Sequence, residues 1–209
     1  MARKPLTKPR KHASQQRSRV TVDALIEATA RILVKDGFDK ASTNRIAEKA
    51  GVSVGSLYQY FPGKEALVTA VIDHHTQKLT QVVHSAVLNT ADLPIAQAVR
   101  ELITAAIQAH SVDPRLHRVL AEEVPRAGRL VSIDAVERNA RALIRSYLEA
   151  HRDEITVHDL DLAAFILVAT VEALTHSAVL ERPELISGDE AVTFLDETSK
   201  LVLRYLQPS

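Results

Sequence analysis

Residues 43–64 read TNRIAEKAGVSVGSLYQYFPGK, and this stretch predicts two short helices joined by a tight turn. Ser42 or Thr43 can cap the first helix, because a hydroxyl oxygen at that position accepts an otherwise unpaired backbone N–H. Gly51 ends it, since glycine adopts the positive φ that a helix C-terminus often requires. Ser53 then caps the second helix. This spacing is typical of a helix-turn-helix, which presents its second helix to the major groove of DNA.

A run that overlaps this stretch, residues 46–67, indicates a family. The run IAEKAGVSVGSLYQYFPGKEAL resembles the DNA-binding signature of TetR/AcrR-type transcriptional regulators, and with Gly37, Phe38 and Thr43 the resemblance covers roughly residues 18–68. It implies an all-α fold, with an N-terminal three-helix helix-turn-helix domain and a larger helical domain for ligand binding and dimerisation. It also implies a homodimer that binds a palindromic operator in double-stranded DNA, without a cofactor.

Within the motif, the resemblance and the side-chain chemistry together predict the DNA contacts. Gly55 permits close approach of the backbone, and the amide of Gln59 can pair bidentately with adenine. The phenols of Tyr58 and Tyr60 suit phosphates, whereas Leu57 and Phe61 are expected in the core. The full set of candidates is Thr43, Arg45, Ser53, Val54, Gly55, Ser56, Tyr58, Gln59, Tyr60 and Lys64.

Charge is distributed unevenly along a chain whose formal net charge is zero. Residues 1–64 carry 13 Lys and Arg against 5 Asp and Glu, and residues 65–209 carry 13 against 21. A basic N-terminal part suggests a polyanionic partner for that part. Together with the family resemblance, this divides the chain into a flexible basic arm (1–17), a helix-turn-helix domain (18–63) and a helical regulatory and dimerisation domain (64–209). The arm either solubilises the protein or contacts DNA.

Apolar residues recur at helical spacing along the rest of the chain. Helices are predicted over about 18–35, 64–87, 94–111, 114–124, 133–150, 159–180 and 190–206. A capping box at Ser187–Glu190 is expected to start the last of these. The centre of the helix over 159–180 is apolar nearly all round, which indicates burial on several sides.

The last two helices are expected to form a four-helix interface with a second copy of the chain. The candidate interface residues are Phe165, Ala169, Phe194, Leu195 and Val202. The alternative is that the helix over 159–180 is fully internal in a monomer.

Several kinds of site are not expected. The chain has no Cys, and it lacks a nucleophile elbow and a phosphate-binding glycine-rich loop, so we expect no enzymatic activity. Nine histidines are present, but no compact ligand spacing predicts a metal site. The longest uninterrupted apolar run, Leu162–Ala169, is too short for a membrane span, and the basic N-terminus has no apolar segment of a secretory signal. A cytoplasmic location is expected.

The sequence predicts a repressor that a small, mainly apolar ligand releases from DNA. Candidate polar anchors for the ligand are His117, Glu123, Tyr147, Glu172 and His176. Two alternatives remain. One is a helical ligand carrier or enzyme in which the helix-turn-helix is only scaffold, and the other is a DNA-binding regulator without a small-molecule inducer.

Overall fold

A computed structural model describes residues 16–124 and 130–207 of the chain. All regular elements in these residues are helical, as the all-α prediction requires. The α-helices are α1 (Gln16–Asp36), α2 (Thr43–Ala50), α3 (Val54–Tyr60), α4 (Lys64–Asn89), α5 (Ile95–His110), α6 (Pro114–Glu122), α7 (Leu130–Ala150), α8 (Leu160–Glu181) and α9 (Gly188–Leu206). Two short 3₁₀ helices, Arg152–Glu154 and Pro183–Ile186, were not predicted.

The observed helix bounds agree closely with the predicted ones, and the largest difference is that α7 begins at Leu130 instead of Ile133. The predicted capping box of α9 is wrong, because the hydroxyl of Ser187 donates to the carbonyl of Pro183 and makes no cap. The first fifteen residues of the predicted arm lie outside the described residues; its last two, 16 and 17, belong to α1.

Packing divides the chain into two units. The first comprises the described residues up to Thr76 together with those of Arg115–Ser132, so it includes α1, α2, α3, the first half of α4 and most of α6. Its core is aliphatic apart from Phe61 and contains three residues from residues 115–124, which are called the α6 segment below. The buried members are Leu25, Ala28, Ile32, Leu33, Ala41, Ile46, Ala47, Leu57, Phe61, Ala66, Leu67, Val68, Val71, Ile72, Leu116, Leu120 and Val124.

This division differs from the predicted boundary after residue 63. Leu116, Leu120 and Val124 are among the buried members of the first core. Since fully burying a Leu or Val side chain contributes about 1.5–3 kcal/mol, these three stabilise the helix-turn-helix unit substantially. Packing therefore includes the α6 segment in the unit that carries the DNA-binding motif.

The second unit comprises Gln77–Pro114 and the described residues of Ile133–Ser209. Within it, α5 packs against α8 and α9. Its core is again mainly aliphatic, as the low aromatic content requires. The buried members are Ile95, Ala98, Val99, Ile103, Ile107, Tyr147, Leu148, Ile155, Leu160, Ala163, Val202 and Leu206.

Helix α8 buries only one of its faces within its unit. Ala163, Ala164 and Ala178 are buried, whereas Leu162 and Phe165 are 52% and 48% exposed. By length and composition alone α8 could cross a membrane, although the sequence was expected to contain no such segment. The core helix of a soluble protein meets the same criteria, and one face of α8 packs into the core of its unit.

The predicted dimer residues fall into two groups. Phe165 and Ala169 are exposed on α8, and Phe194 and Leu195 on α9 are partly buried. Val202 is only 5% exposed because it faces the core of its own unit, so its assignment to a surface for a second copy is not supported.

Candidate DNA-binding surface

The two helices of the motif begin at serine caps. The hydroxyl of Ser42 accepts from the backbone N–H of Arg45 at 3.4 Å, and that of Ser53 accepts from Ser56 at 3.0 Å. Each bond satisfies a donor that the first turn of a helix leaves unpaired. The sequence left the first cap open between Ser42 and Thr43, and the structure selects Ser42.

The turn between α2 and α3 depends on glycine. Gly51 has a φ of 69°, in the left-handed region that glycine adopts at little cost. The next N–H, that of Val52, returns to the carbonyl of Ala47 at 3.0 Å. Leu57 and Phe61 are 0% and 1% exposed, as predicted, and hold α3 to the unit. The buried side of α3 thus fixes which side faces outward.

The outward side of α3 carries most of the predicted DNA contacts. Ser53, Val54, Gly55, Tyr58 and Gln59 are exposed, and Ser56 and Tyr60 are partly exposed. A Cβ added at Gly55 would have only the hydroxyl oxygen of Ser53 nearby, at 3.8 Å. The fold of this unit therefore has room for a larger residue at position 55.

Two predicted phosphate contacts lie side by side. The hydroxyl of Thr43, at the start of α2, is 3.2 Å from the phenol of Tyr58 on α3. Hydroxyl groups donate one hydrogen bond and accept others. When one of the pair donates to the other, the second remains able to donate outward. This arrangement suits a phosphate oxygen at the edge of the motif.

Arg45 and Lys64, two further candidates, are already engaged inside the unit. Arg45 donates to the carboxylate of Asp36 at 2.6 Å and to the carbonyl of Lys40 at 2.9 Å. The ammonium of Lys64 donates to the carbonyl of Phe38 at 3.1 Å and lies 3.9 Å from the centre of its ring. Both side chains hold the loop between α1 and α2, a role that the sequence did not predict.

The same loop is held from α6. The carboxylate of Glu123 accepts a hydrogen bond of 3.0 Å from the backbone N–H of Phe38. Glu123 was predicted to contact a ligand. In the structure its carboxylate bonds to the backbone of a loop in its own unit. The two residues are 85 positions apart, so periodicity and local motifs carry no signal for the contact.

The other candidate ligand anchors also have protein partners. In the first unit, His117 lies 3.2 Å from His75, ring nitrogen to ring nitrogen. In the second unit, the phenol of Tyr147 donates to the carbonyl of Leu93 at 2.8 Å, and Glu172 lies against His110. Tyr147 is buried and therefore has a structural role.

Two family models match this chain. The model described as "Bacterial regulatory proteins, tetR family" matches residues 25–71, and the model described as "Tetracyclin repressor-like, C-terminal domain" matches residues 94–206. The chain belongs to the TetR family. The two matched ranges cover the N-terminal helix-turn-helix and the helical C-terminal part, and the family is the one that the sequence predicted.

Relatives with assigned names match over part of the chain. The nucleoid occlusion factor SlmA of Haemophilus ducreyi is 28% identical over 116 residues, which cover 56% of this chain and 55% of that protein. The transcriptional activator FasR of Mycolicibacterium smegmatis is 34% identical over 85 residues, or 41% of this chain and 36% of FasR. The chain thus spans about half the length, or less, of these curated relatives.

Solved structures match the fold over nearly the whole chain. The fatty acid degradation regulator FadR from Bacillus halodurans has a TM-score of 0.68 at 17% identity, covering 95% of this chain and 99% of its own. FadR from Bacillus subtilis, solved in complex with stearoyl-CoA, has a TM-score of 0.65 at 18% identity and covers 88% of this chain and 98% of its own. At these identities the likeness establishes the fold.

Proposed function

We propose that this member of the TetR family is a cytoplasmic homodimeric repressor that binds a palindromic operator and is released by a small, mainly apolar ligand. One observation carries the DNA-binding part of this proposal. Helix α3 buries Leu57 and leaves Gly55 and Gln59 exposed on its other side. A helix held in this way can place its N-terminal residues against base edges.

The dimer is supported by the exposed side of α8. Leu162 and Phe165 are about half exposed, and Ala169 follows them at helical spacing. Exposed apolar side chains on one face of a helix cost free energy in water and favour burial by a partner surface. A second copy of the chain suits this face because two-fold symmetry would pair it with itself.

The ligand is supported by the fold and by the composition of the second unit. The core of this unit is aliphatic, which suits a largely apolar ligand. A protein of the same fold, the Bacillus subtilis FadR, was solved with stearoyl-CoA bound. We therefore propose ligands with a long apolar part as the first class to be tested.

A regulator without a small-molecule inducer is the second candidate. Two of the predicted anchors favour it, because Glu123 bonds to the backbone of Phe38 and Tyr147 to that of Leu93. Side chains with such partners contribute to the fold without any ligand. The ligand experiment below separates the two candidates.

DNA binding is tested with the purified full chain and fragments of the genome that encodes it. Sequencing the captured fragments should reveal one palindromic sequence, and binding to it should weaken steeply with salt because phosphate contacts release counterions. Gln59→Ala should cost about 1–3 kcal/mol, mainly at one base position per half-site. The absence of any enriched sequence would contradict the proposal.

Ligand release is tested by reciprocal titration. An acyl-CoA series is titrated against the protein alone and against its operator complex, and the operator is titrated with and without each compound. Linkage requires both effects to have the same factor. If no acyl-CoA changes operator affinity while the captured operator still binds, this ligand class is wrong and DNA binding stands.

A further inference from the structure

Buried His110 lies at the end of α5, and its side chain is only 5% exposed. Its Nδ1 is 2.9 Å from the carbonyl oxygen of Ala106. Because a carbonyl only accepts, the proton of the neutral ring lies on Nδ1 and the lone pair on Nε2. A histidine that donates one ring N–H to a backbone carbonyl in this way is typical of metal ligands.

The lone pair of His110 meets a carboxylate. Its Nε2 is 3.4 Å from Oε1 of Glu172 on α8, which belongs to the same unit. Two acceptors face each other at this distance, so a positive charge between them is favourable, either as a proton or as a metal ion.

A second imidazole lies beside this pair. His176 follows Glu172 by four positions on α8, so both side chains leave the same face of the helix. The rings of His110 and His176 meet edge to face with centroids 6.3 Å apart, and their nearest ligand nitrogens lie within 4.8 Å. The buried imidazole of His110 therefore has a carboxylate and a second imidazole as neighbours within one unit.

We propose that His110, Glu172 and His176 form a site for a divalent transition-metal ion of the Zn²⁺ class. Metal–ligand distances of about 2.0–2.2 Å place neighbouring ligands of a tetrahedral ion about 3.3–3.5 Å apart. The separation of 3.4 Å between His110 and Glu172 already fits this geometry. The half-exposed carboxylate of Glu172 can adjust as the ring of His176 approaches the ion.

The ligand set explains the metal class. Two imidazoles and one carboxylate suit Zn²⁺, Co²⁺ or Ni²⁺, whereas Mg²⁺ and Ca²⁺ prefer oxygen ligands only. Three protein ligands leave a fourth position for water or for an acidic group of a small molecule. Sequence analysis did not predict this site, because His110 is on another helix and the pair of Glu172 and His176 alone is not diagnostic.

The experiment uses the full chain after removal of metal by a chelator. Zn²⁺ is titrated by calorimetry, and Co²⁺ is titrated while the visible absorption of four-coordinate cobalt is recorded. We expect one equivalent per chain and an intense visible band for the wild type. His176→Ala and Glu172→Gln should each weaken Zn²⁺ binding by at least about tenfold to a hundredfold and lose the band.

His84→Ala is the matched control, since His84 is an exposed histidine on α4 in the same unit. This variant should bind metal as the wild type does. Thermal unfolding with Zn²⁺ supplies a second readout, with a higher midpoint for the wild type and for His84→Ala only. Equal binding by His84→Ala and His176→Ala would overturn the proposal and leave scattered surface histidines as the ligands. Failure of the folded wild type to bind either metal would also overturn the proposal.

Discussion

Glu123 and Phe38 connect the end of α6 to the loop between α1 and α2, through a carboxylate that accepts the backbone N–H at 3.0 Å. The preceding residue, Gly37, has a φ of +81°, and a Cβ built on it would lie 2.8 Å from Oε2 of Glu123. Any larger residue at position 37 therefore meets two obstacles, the left-handed backbone and the carboxylate. These two obstacles can be separated by mutation.

Gly37→Ala should lower the free energy of unfolding through two contributions. The left-handed backbone contributes about 1–2 kcal/mol, and the displacement of the Glu123 carboxylate adds a second loss. In a Glu123→Ala background the second contribution disappears, so the same substitution should cost less. A double-mutant cycle measured by urea denaturation checks this coupling. Additive effects would mean that the carboxylate moves aside freely. Gly51→Ala is the control, because its φ is also positive but a Cβ there meets nothing within 4 Å.

The paired hydroxyls of Thr43 and Tyr58 should act on phosphate and not on bases. Tyr58→Phe and Thr43→Val should each weaken operator binding by about 1.5–3 kcal/mol, as expected for a lost hydrogen bond to a charged group. Random duplex DNA should lose affinity by a similar factor. Shift assays with operator and random duplexes measure both effects, and Tyr205→Phe in the second unit is the control. A loss confined to the operator would contradict a phosphate role.

Gly55→Ala should affect protein stability and operator affinity in different ways. The nearest atom to the added methyl group is 3.8 Å away, and alanine favours helix over glycine by about 0.8–1.0 kcal/mol. The variant should therefore be at least as stable as the wild type in thermal unfolding. Operator affinity should nevertheless fall, because the methyl group would meet the DNA. Unchanged affinity would show that DNA does not approach position 55 closely.

A glutamate is expected to have different effects at Phe165, which is exposed, and at Val202, which is buried. Phe165→Glu places a carboxylate on the exposed side of α8, so it should dissociate the dimer and leave the helical content intact. Val202→Glu places it in a core position that is 5% exposed, and should unfold the second unit. Sedimentation and circular dichroism distinguish the two outcomes. A wild-type monomer at micromolar concentration would rule out the proposed interface.

Because of Tyr147, the stability of the folded protein should fall as the pH rises above 10. Burial, followed by the charge of Glu154, raises the pKa of Tyr147 from 10 to about 12. Between these values the unfolded chain loses the phenolic proton and the folded chain keeps it. The contribution of Tyr147 to the free energy of unfolding is therefore complete below pH 10, and it is lost as the pH rises towards 12. Urea denaturation of the wild type and Tyr147→Phe should show a difference in stability that shrinks over this range. A constant difference would contradict it.

Much of this structure follows from local signals. Gly51, Ser53 and the apolar periodicity predict the helix-turn-helix, because caps, turns and buried stripes act over only a few residues. The burial of Leu57 and Phe61 follows from the same pattern. Contacts across long sequence separations do not, since neither Glu123 nor His110 lies near its partner in the sequence. The position of Lys64 at the start of a helix did not show whether its charge contacts DNA or a carbonyl within the protein, and in the structure it donates to the carbonyl of Phe38.

The placement of Leu116, Leu120 and Val124 in the first core has a consequence for recombination among members of this family. A gene fusion that exchanges only the N-terminal 76 residues would separate a core from three of its own members. Such chimeras should be poorly soluble unless the donor also supplies the α6 segment. The unit that carries the DNA-binding motif is thus encoded by two separate parts of the gene. A chimera has to take both parts from the same parent.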